Sequence, residues 1–261
     1  MRKLKILLPV FLLLGCILLC GCDLRNYIYT EDSLKKVAEK SLKKKYGEEF
    51  IIHSAWDRDQ TRFYADCSPK DNRDVVFLAC IYKNGKGVYG DEYPEEVVAL
   101  EVDEILRDEF EEVFGECYLK VHIDKYYNRP EFDSPQTLTL EEYVRKTDLS
   151  IILAVFLNNT ETTERLAEKE YQYFSDAFLK MLDEEGIGEN QIWGIRLYFV
   201  DTEMMRKSKD YFSISTDIRG EFDGELSKYP KLSFSYEDGK MSKSYDEYLE
   251  RRVQNRNQAS N

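Results

Sequence analysis

Histidine is scarce in this chain: of its 261 residues only His53 and His122 carry an imidazole, and neither has a zinc-type partner at helical spacing. That absence excludes a histidine-based metalloprotease motif. No G-x-S-x-G occurs, so a serine hydrolase would lack its nucleophile elbow, and no EF-hand loop is present. Positive charge is in deficit, with 37 Lys and Arg against 50 Asp and Glu and a net charge of −13. Such a balance repels phosphates and anionic surfaces at long range and argues against nucleic acid as a partner. A hydrophobic run of spanning length is also missing. The longest, Ile6 to Leu19, is interrupted by Pro9, Gly15 and Cys16 and falls short of the roughly 18 to 20 residues a membrane-crossing helix wants, with a tilted anchor as the alternative.

Gly85-Lys86-Gly87-Val88-Tyr89-Gly90 matches G-x-G-x-x-G, but Asp91 and Glu92 intervene before Pro94, where a helix could begin, and would repel a pyrophosphate. The run reads as a glycine-rich hairpin. Carboxylate pairs such as Asp57 with Asp59 and Asp217 with Asp223 carry little information in so acidic a chain. No cofactor is implied.

What the chain does have begins at its N-terminus. Arg2, Lys3 and Lys5 precede the apolar run as the charged region of a secretory signal. Leu19-Cys20-Gly21-Cys22 resembles the lipobox of bacterial lipoproteins, with an aliphatic residue three before a cysteine and a small residue directly before it. That resemblance implies that the Cys22 thiol is acylated with diacylglycerol and becomes the first residue of the mature chain. Leu13-Leu14-Gly15-Cys16 fits the same pattern, so Cys16 and an uncleaved helix remain the alternatives. Cys22 is favoured because Asp23, Arg25 and Asn26 follow it at once, whereas a cut at Cys16 would leave an apolar stub. Two or three acyl chains on one terminus hold stably where one is marginal. Loss of Arg2, Lys3 and Lys5 with the signal leaves 34 basic and 50 acidic residues, a net −16.

At 43% hydrophobic and 13% aromatic, the remainder can bury a real core in one or two domains. Cys67, Cys80 and Cys117 fall in strand-like runs. They read as buried thiols, with one disulfide as the alternative that an extracytoplasmic setting permits.

Thr30 can cap a first helix in which Leu34, Val37, Ala38, Ser41 and Leu42 share a face, Lys43 to Lys45 complement its end and Gly47 stops it. Its lysine face reads as solvated, with contact to lipid headgroups as the alternative. Phe63, Ala65 and Cys67 alternate as a strand, and Asp74 to Tyr82 is apolar on both faces, as a central strand is. Pro94 opens a second helix with a stripe of Val98, Val102, Ile105, Leu106, Phe110, Val113 and Phe114; its carboxylates from Glu95 to Glu112 read as a solvated face, with attraction of a cation or a basic partner as the alternative. Cys117, Leu119, Val121 and Ile123 then alternate with Tyr118, Lys120 and His122, which places His122 on a polar rim. Residues 124–137, with Tyr126, Tyr127, Arg129 and Phe132, read as a long loop whose rings either pin it to the core or offer a contact surface for protein or glycan. Thr139 and Glu142 form a capping box. Beyond it the pattern predicts a strand to Leu157, a helix over Glu161 to Glu185, and strands through Trp193 to Phe199, Phe212 to Ile218 and Tyr229 to Tyr236, before a polar tail.

These elements imply an α+β fold, antiparallel or mixed sheets with amphipathic helices packed on one face, and two similar halves as an option. The expected divisions are a lipoprotein signal over 1–22, an N-terminal half over 23–130, a C-terminal half over 131–250 and a tail over 251–261. Lys44-Lys45-Tyr46-Gly47-Glu48-Glu49-Phe50, following a lysine-rich helix, resembles a feature of uncharacterised lipoproteins of Gram-positive bacteria, a likeness that brings no activity with it. The expectation is a lipoprotein anchored to the outer side of the cell membrane through Cys22, acting as a binding or interaction module for a protein or glycan. An extracytoplasmic hydrolase is the alternative. A hydrolase would bring His53 or His122 together with carboxylates in a concave site; a docking module would show an exposed aromatic patch.

Overall fold

The computed structural model describes residues 29–123, 132, 134–146, 150–158, 164–184, 192–216, 220–237 and 240–251. The acylation readings at Cys22 and Cys16, the loop residues Tyr126, Tyr127 and Arg129, and the tail beyond Arg251 lie outside them.

Helix α1 (Glu31–Tyr46) forms where its caps and charges dictate. The Thr30 hydroxyl accepts from the Ser33 amide at 3.3 Å, Glu31 and Asp32 sit at the positive end of the helix dipole, and Lys43 to Lys45 sit at the negative end. Gly47 terminates it at a φ of 77°, a left-handed conformation that a Cβ would strain. Leu34, Ala38 and Leu42 are buried against the first sheet.

That sheet is an antiparallel meander in chain order: β1 (Phe50–Asp57), β2 (Arg62–Pro69), β3 (Phe77–Tyr82) and β4 (Val88–Asp91). The β3 strand lies inside it, between β2 and β4, as its two apolar faces predict. The glycine-rich run makes the β3–β4 hairpin, with Gly85 and Gly87 at positive φ. Phe63, Ala65, Cys67, Phe77, Ala79 and Ile81 belong to the core shared with α1. Tyr93 closes it, stacked on Phe77 at 4.9 Å and edge-on to Tyr46 at 5.1 Å.

Helix α2 (Tyr93–Phe114), with Pro94 in its first turn, ties the two cores together: Tyr93 packs in the first, while Val98, Val102, Leu106 and Phe110 are fully buried in the second. The second core is built on β5 (Cys117–Ile123), β6 (Ile151–Asn158), β7 (Ile192–Val200) and β8 (Lys231–Phe234), paired in that order. The outer pairs are antiparallel and β6–β7 is parallel. Between β5 and β6 lies α3 (Leu140–Lys146), at whose start the Thr139 hydroxyl accepts from the Glu142 amide at 3.2 Å. Parallel neighbours need a crossover, supplied by α4 (Glu164–Gln172), a π-helical turn over Tyr173–Ala177 and α5 (Phe178–Glu184). Phe110 sits in the middle of this core, with Tyr173 and Phe178 edge-on at 5.8 and 5.7 Å.

The opposite face of the second sheet carries α6 (Thr202–Phe212) and α7 (Gly220–Leu226), which bury Met204, Met205, Phe212, Phe222 and Leu226 against Phe156, Tyr198 and Val200. Here the sequence reading is corrected. The alternation of Phe212, Ile214 and Thr216 suggests a strand, but Phe212 ends α6 and Ile214 lies exposed in the turn after it. The Asp201 carboxylate caps this helix by accepting from the Met204 amide at 2.7 Å, and Met204, Ser208 and Phe212 fall at helical spacing, which outweighs a short period of two. Ile218 lies outside the described residues. The strand expected over Tyr229 to Tyr236 is β8, and a two-stranded ribbon of β9 (Tyr236–Glu237) and β10 (Lys240–Met241) follows, then helical residues 245–251.

The fold is α+β, with one antiparallel and one mixed sheet. The division at 130/131 falls outside the described residues; β5, on its N-terminal side, pairs along its length with β6 on the other. Among the described residues no helix is long and apolar enough to cross a membrane.

Candidate functional site

The outward side chains of the second sheet line up in rows across its strands. Tyr118, Phe156, Tyr198 and Lys231 make one row; Lys120, Ala154, Arg196 and Ser233 the next; His122, Ile152 and Gly194 a third. Helices α6 and α7 cover the first row, where Phe156 stacks on Tyr198 at 4.9 Å and on its other side meets Phe212 at 5.8 Å. Lys120, Ala154 and Arg196 of the second row, with His122 and Ile152 of the third, form the floor of a cavity of about 230 Å³, walled by Leu78, Glu92, Phe212 and Thr216. Adjacent strands lie ~4.8 Å apart, so Lys120 and Arg196 flank Ala154 at roughly 10 Å from one another. A shallower trough continues across β7 and β8 past Ser233, Ser242 and Lys243.

One carboxylate organises the β5 edge of this cavity. Glu96, in the first turn of α2, is 2% exposed, and its Oε2 accepts from the Lys120 ammonium at 2.8 Å. Its Oε1 lies 3.5 Å from His122 Nδ1 and has no shorter hydrogen bond. Burial alone would raise the Glu96 carboxyl, but the charges and donors of Lys120 and His122 outweigh it and hold the group below its ordinary range. Burial likewise opposes a charged imidazole at His122, and the Glu96 carboxylate, by bond and by charge, overrides it with help from Glu92, so His122 titrates above its ordinary range. On the far side of Glu96 a second depression, of about 560 Å³, runs between α2 and the end of α6 past Arg73, Asp103, Arg107 and Lys209. Burial raises the Asp103 carboxyl there, partly offset by its bond to Arg107.

Arg196 is exposed on the cavity floor and bonds to Tyr198; among the described residues it has no carboxylate partner. In a strongly acidic chain, the open rows thus present Lys120 and Arg196, with the buried Glu96 and the half-buried Glu92 as the acids that border them.

The structure keeps His122 on the polar face of β5 that its alternation suggests, where it borders a concave site with Glu96 and Glu92, and leaves His53 on the first sheet, 2.8 Å from the Ser68 hydroxyl. Glu96 was hidden in a run of acids that reads as solvated. That reading holds for Glu104, Asp108, Glu111 and Glu112, which are exposed, and fails for Glu95, Glu96 and Asp103, which are buried. The correction has a physical reason: these three face partners on other elements, Tyr143 for Glu95 and Lys120 for Glu96, or a neighbour one turn on, Arg107 for Asp103. The signal that could have found Glu96 is the apolar stripe itself, since Glu95, Glu96, Ala99 and Asp103 lie along the margin of Val98, Val102 and Leu106.

Cys67, Cys80 and Cys117 are buried free thiols. Phe132 is buried and stacks on Tyr143 at 5.4 Å, the pinned arrangement rather than a contact surface. The large hydrophobic residues that stand exposed among the described residues are Tyr89 and Ile214, and no group of three or more His, Cys, Asp or Glu there is arranged to hold a metal ion.

No family model matches the chain, and no curated protein matches it. Its fold is similar to that of a DUF5037 family protein from Ruminococcus gnavus ATCC 29149, at 16% identity and a TM-score of 0.60, over 84% of this chain and 99% of that one. At that identity the likeness concerns the fold alone.

Proposed function

We propose that the protein is a lipid-anchored, extracytoplasmic binding module whose open sheet face takes a small anionic ligand. The observation that carries the ligand reading is the row Lys120, Ala154, Arg196, in which two cations flank a small residue on the floor of a cavity. Ala154 leaves room above it, Ile152 supplies an apolar patch beside it, and Arg196 offers a planar fork suited to a carboxylate or phosphate. Glu96 orients Lys120 through its 2.8 Å bond. The cavity is small, which favours a ligand of few atoms over a polymer. The lipid anchor rests on the lipobox resemblance around Cys22.

The test is a thermal-shift and calorimetric titration of the purified full chain against inorganic phosphate, succinate and short acidic peptides. A saturable response to at least one of them in the wild type, lost in Arg196→Ala with the unfolding temperature unchanged, is the expected result. Equal binding by the variant, or no response to any probe, would overturn the ligand reading.

One observation favours a second reading, an extracytoplasmic hydrolase. His122 borders the cavity with its Nδ1 turned toward Glu96, so its other nitrogen is placed to take a proton from water. Turnover of a small anionic ester that disappears in His122→Gln would select this reading over simple binding.

A further inference from the structure

Six lysines lie on α1, and their fates divide. Lys35 pairs with Glu31 at 2.9 Å, Lys43 with Glu49 at 2.9 Å, and Lys45 with the buried Asp91 at 2.6 Å. Lys36, Lys40 and Lys44 are exposed and make no ion pair among the described residues. Spaced at i, i+4 and i+8, they form one stripe on the solvent side of the helix, opposite Leu34, Ala38 and Leu42. Glu31, Asp32 and Glu39 are the exposed acids on the same helix, Glu31 being the one paired with Lys35. Like charges at that spacing repel one another. Asp32 stands one turn before Lys36 and Lys44 complements the negative end of the helix, whereas Lys40, with a lysine one turn away on either side, gains nothing from the spacing.

We infer that this stripe is the surface on which the protein rests against an anionic bilayer. The inference builds on the lipid-anchor reading. An extended chain spans at most ~3.5 Å per residue, so the run from Cys22 to Thr30 holds the start of α1 within roughly 30 Å of the attachment point. No other helix in the described chain begins so near to Cys22 along the sequence. The net −16 of the mature chain does not oppose this contact at close range. Charges in solvent are screened over ~8 Å at physiological salt, so lysines at the headgroups feel the surface while acids on the far side do not. The acidic remainder instead selects orientation, because every face dominated by carboxylates is turned away. Fixing α1 against the membrane would leave the cavity of the second sheet, built on separate elements, in a constant attitude to it.

The test uses the full lipidated chain in nanodiscs of phosphatidylcholine alone or of phosphatidylcholine mixed with phosphatidylglycerol, with lysine acetylation by a reactive ester read by mass spectrometry. Lys36, Lys40 and Lys44 are expected to react at least ~3-fold more slowly on the anionic discs, and to recover in high salt, while Lys86 and Lys228 react equally on both. Lys43, which adjoins Lys44, should show the same difference in the wild type and lose it in the variant Lys36→Glu/Lys40→Glu/Lys44→Glu, whose changes are all at exposed positions and should leave the fold intact. Equal reactivity of the three lysines on both discs overturns the inference while the anchor stands. A chain that copurifies with neither disc overturns the anchor reading and this inference with it.

Discussion

Glu96 and Lys120 meet at 2.8 Å with the Glu96 side chain almost wholly buried and that of Lys120 15% exposed, joining the first turn of α2 to the middle of β5. The two groups bridge the helix that links the sheets and the edge of the sheet that carries the cavity. Their bond is both a structural tie and the device that fixes one of the two cations on the cavity floor.

Removing the charge at this point should therefore cost stability and binding together. Glu96→Gln keeps the side-chain shape but leaves Lys120 without an ionised partner, and breaking a buried pair from one side destabilises by about 3 kcal/mol. Urea unfolding should show a midpoint lowered in proportion with the slope unchanged. Lys120→Met, which removes the other partner, should be equally damaging unless Glu96 takes up a proton.

The same cluster sets a pH window. Glu96 stays ionised to lower pH in the folded chain than in the unfolded one, so its contribution is present above its ordinary 4.5 and lost as pH falls through the depressed value. His122 keeps its proton to higher pH when folded, so its contribution is complete below its ordinary 6.5 and lost as pH rises through the elevated value. Both are present between about 4.5 and 6.5. His53 runs the other way: burial, with Lys35 and Arg73, lowers it, so it costs stability as pH falls through its ordinary 6.5. The urea midpoint should fall less between about pH 6 and pH 8 in His122→Gln than in the wild type, and an identical pH response in the two would remove His122 from the account.

The three body thiols should be silent in the native protein. Cys67 is fully buried, with its thiol pushed well above the usual range by burial, and burial pushes Cys117 up to about 11. Cys80 is 7% exposed. N-ethylmaleimide should label none of them natively and all three in urea without reductant. A pair that stays unlabelled in urea would reveal a disulfide.

Cys22→Ala should accumulate as unprocessed precursor and fail to incorporate labelled palmitate. Label retained on that variant would exclude Cys22 as the acylated residue, and loss of label in Cys16→Ala alone would assign the anchor there.

Much of the fold was readable because its signals are local. Thr30 and Gly47 bracket α1, Pro94 opens α2, and the strict alternation of Cys117 to Ile123 is the burial pattern of β5. The last third was harder. Phe212, Ile214 and Thr216 have the period of a strand, while the cap at Asp201 and the inward Met204 and Phe212 make a helix, and a few residues do not separate the two periods. The site lay deeper still. His122 could be placed on the outward side of β5, but its partner Glu96 comes from another element, and sequence carries no distance between an acid in a helix and a base in a strand. Arg196 gave no signal at all, because its place on the cavity floor depends on how far α6 reaches along the sheet.

The parallel pairing of β6 with β7 has a consequence for the order in which the chain can acquire its shape. The meander of β1 to β4 closes through neighbouring segments alone, with Cys67 meeting Phe77 and Ala79 meeting Asp91. Ile151, by contrast, must wait for Ile192, and the intervening crossover has to be drawn in before that ladder zips. The first sheet is therefore set to form early as a seed, and the surface bearing Lys120 and Arg196 matures last, so that on refolding structure should return first at the α1 end and only later at that surface.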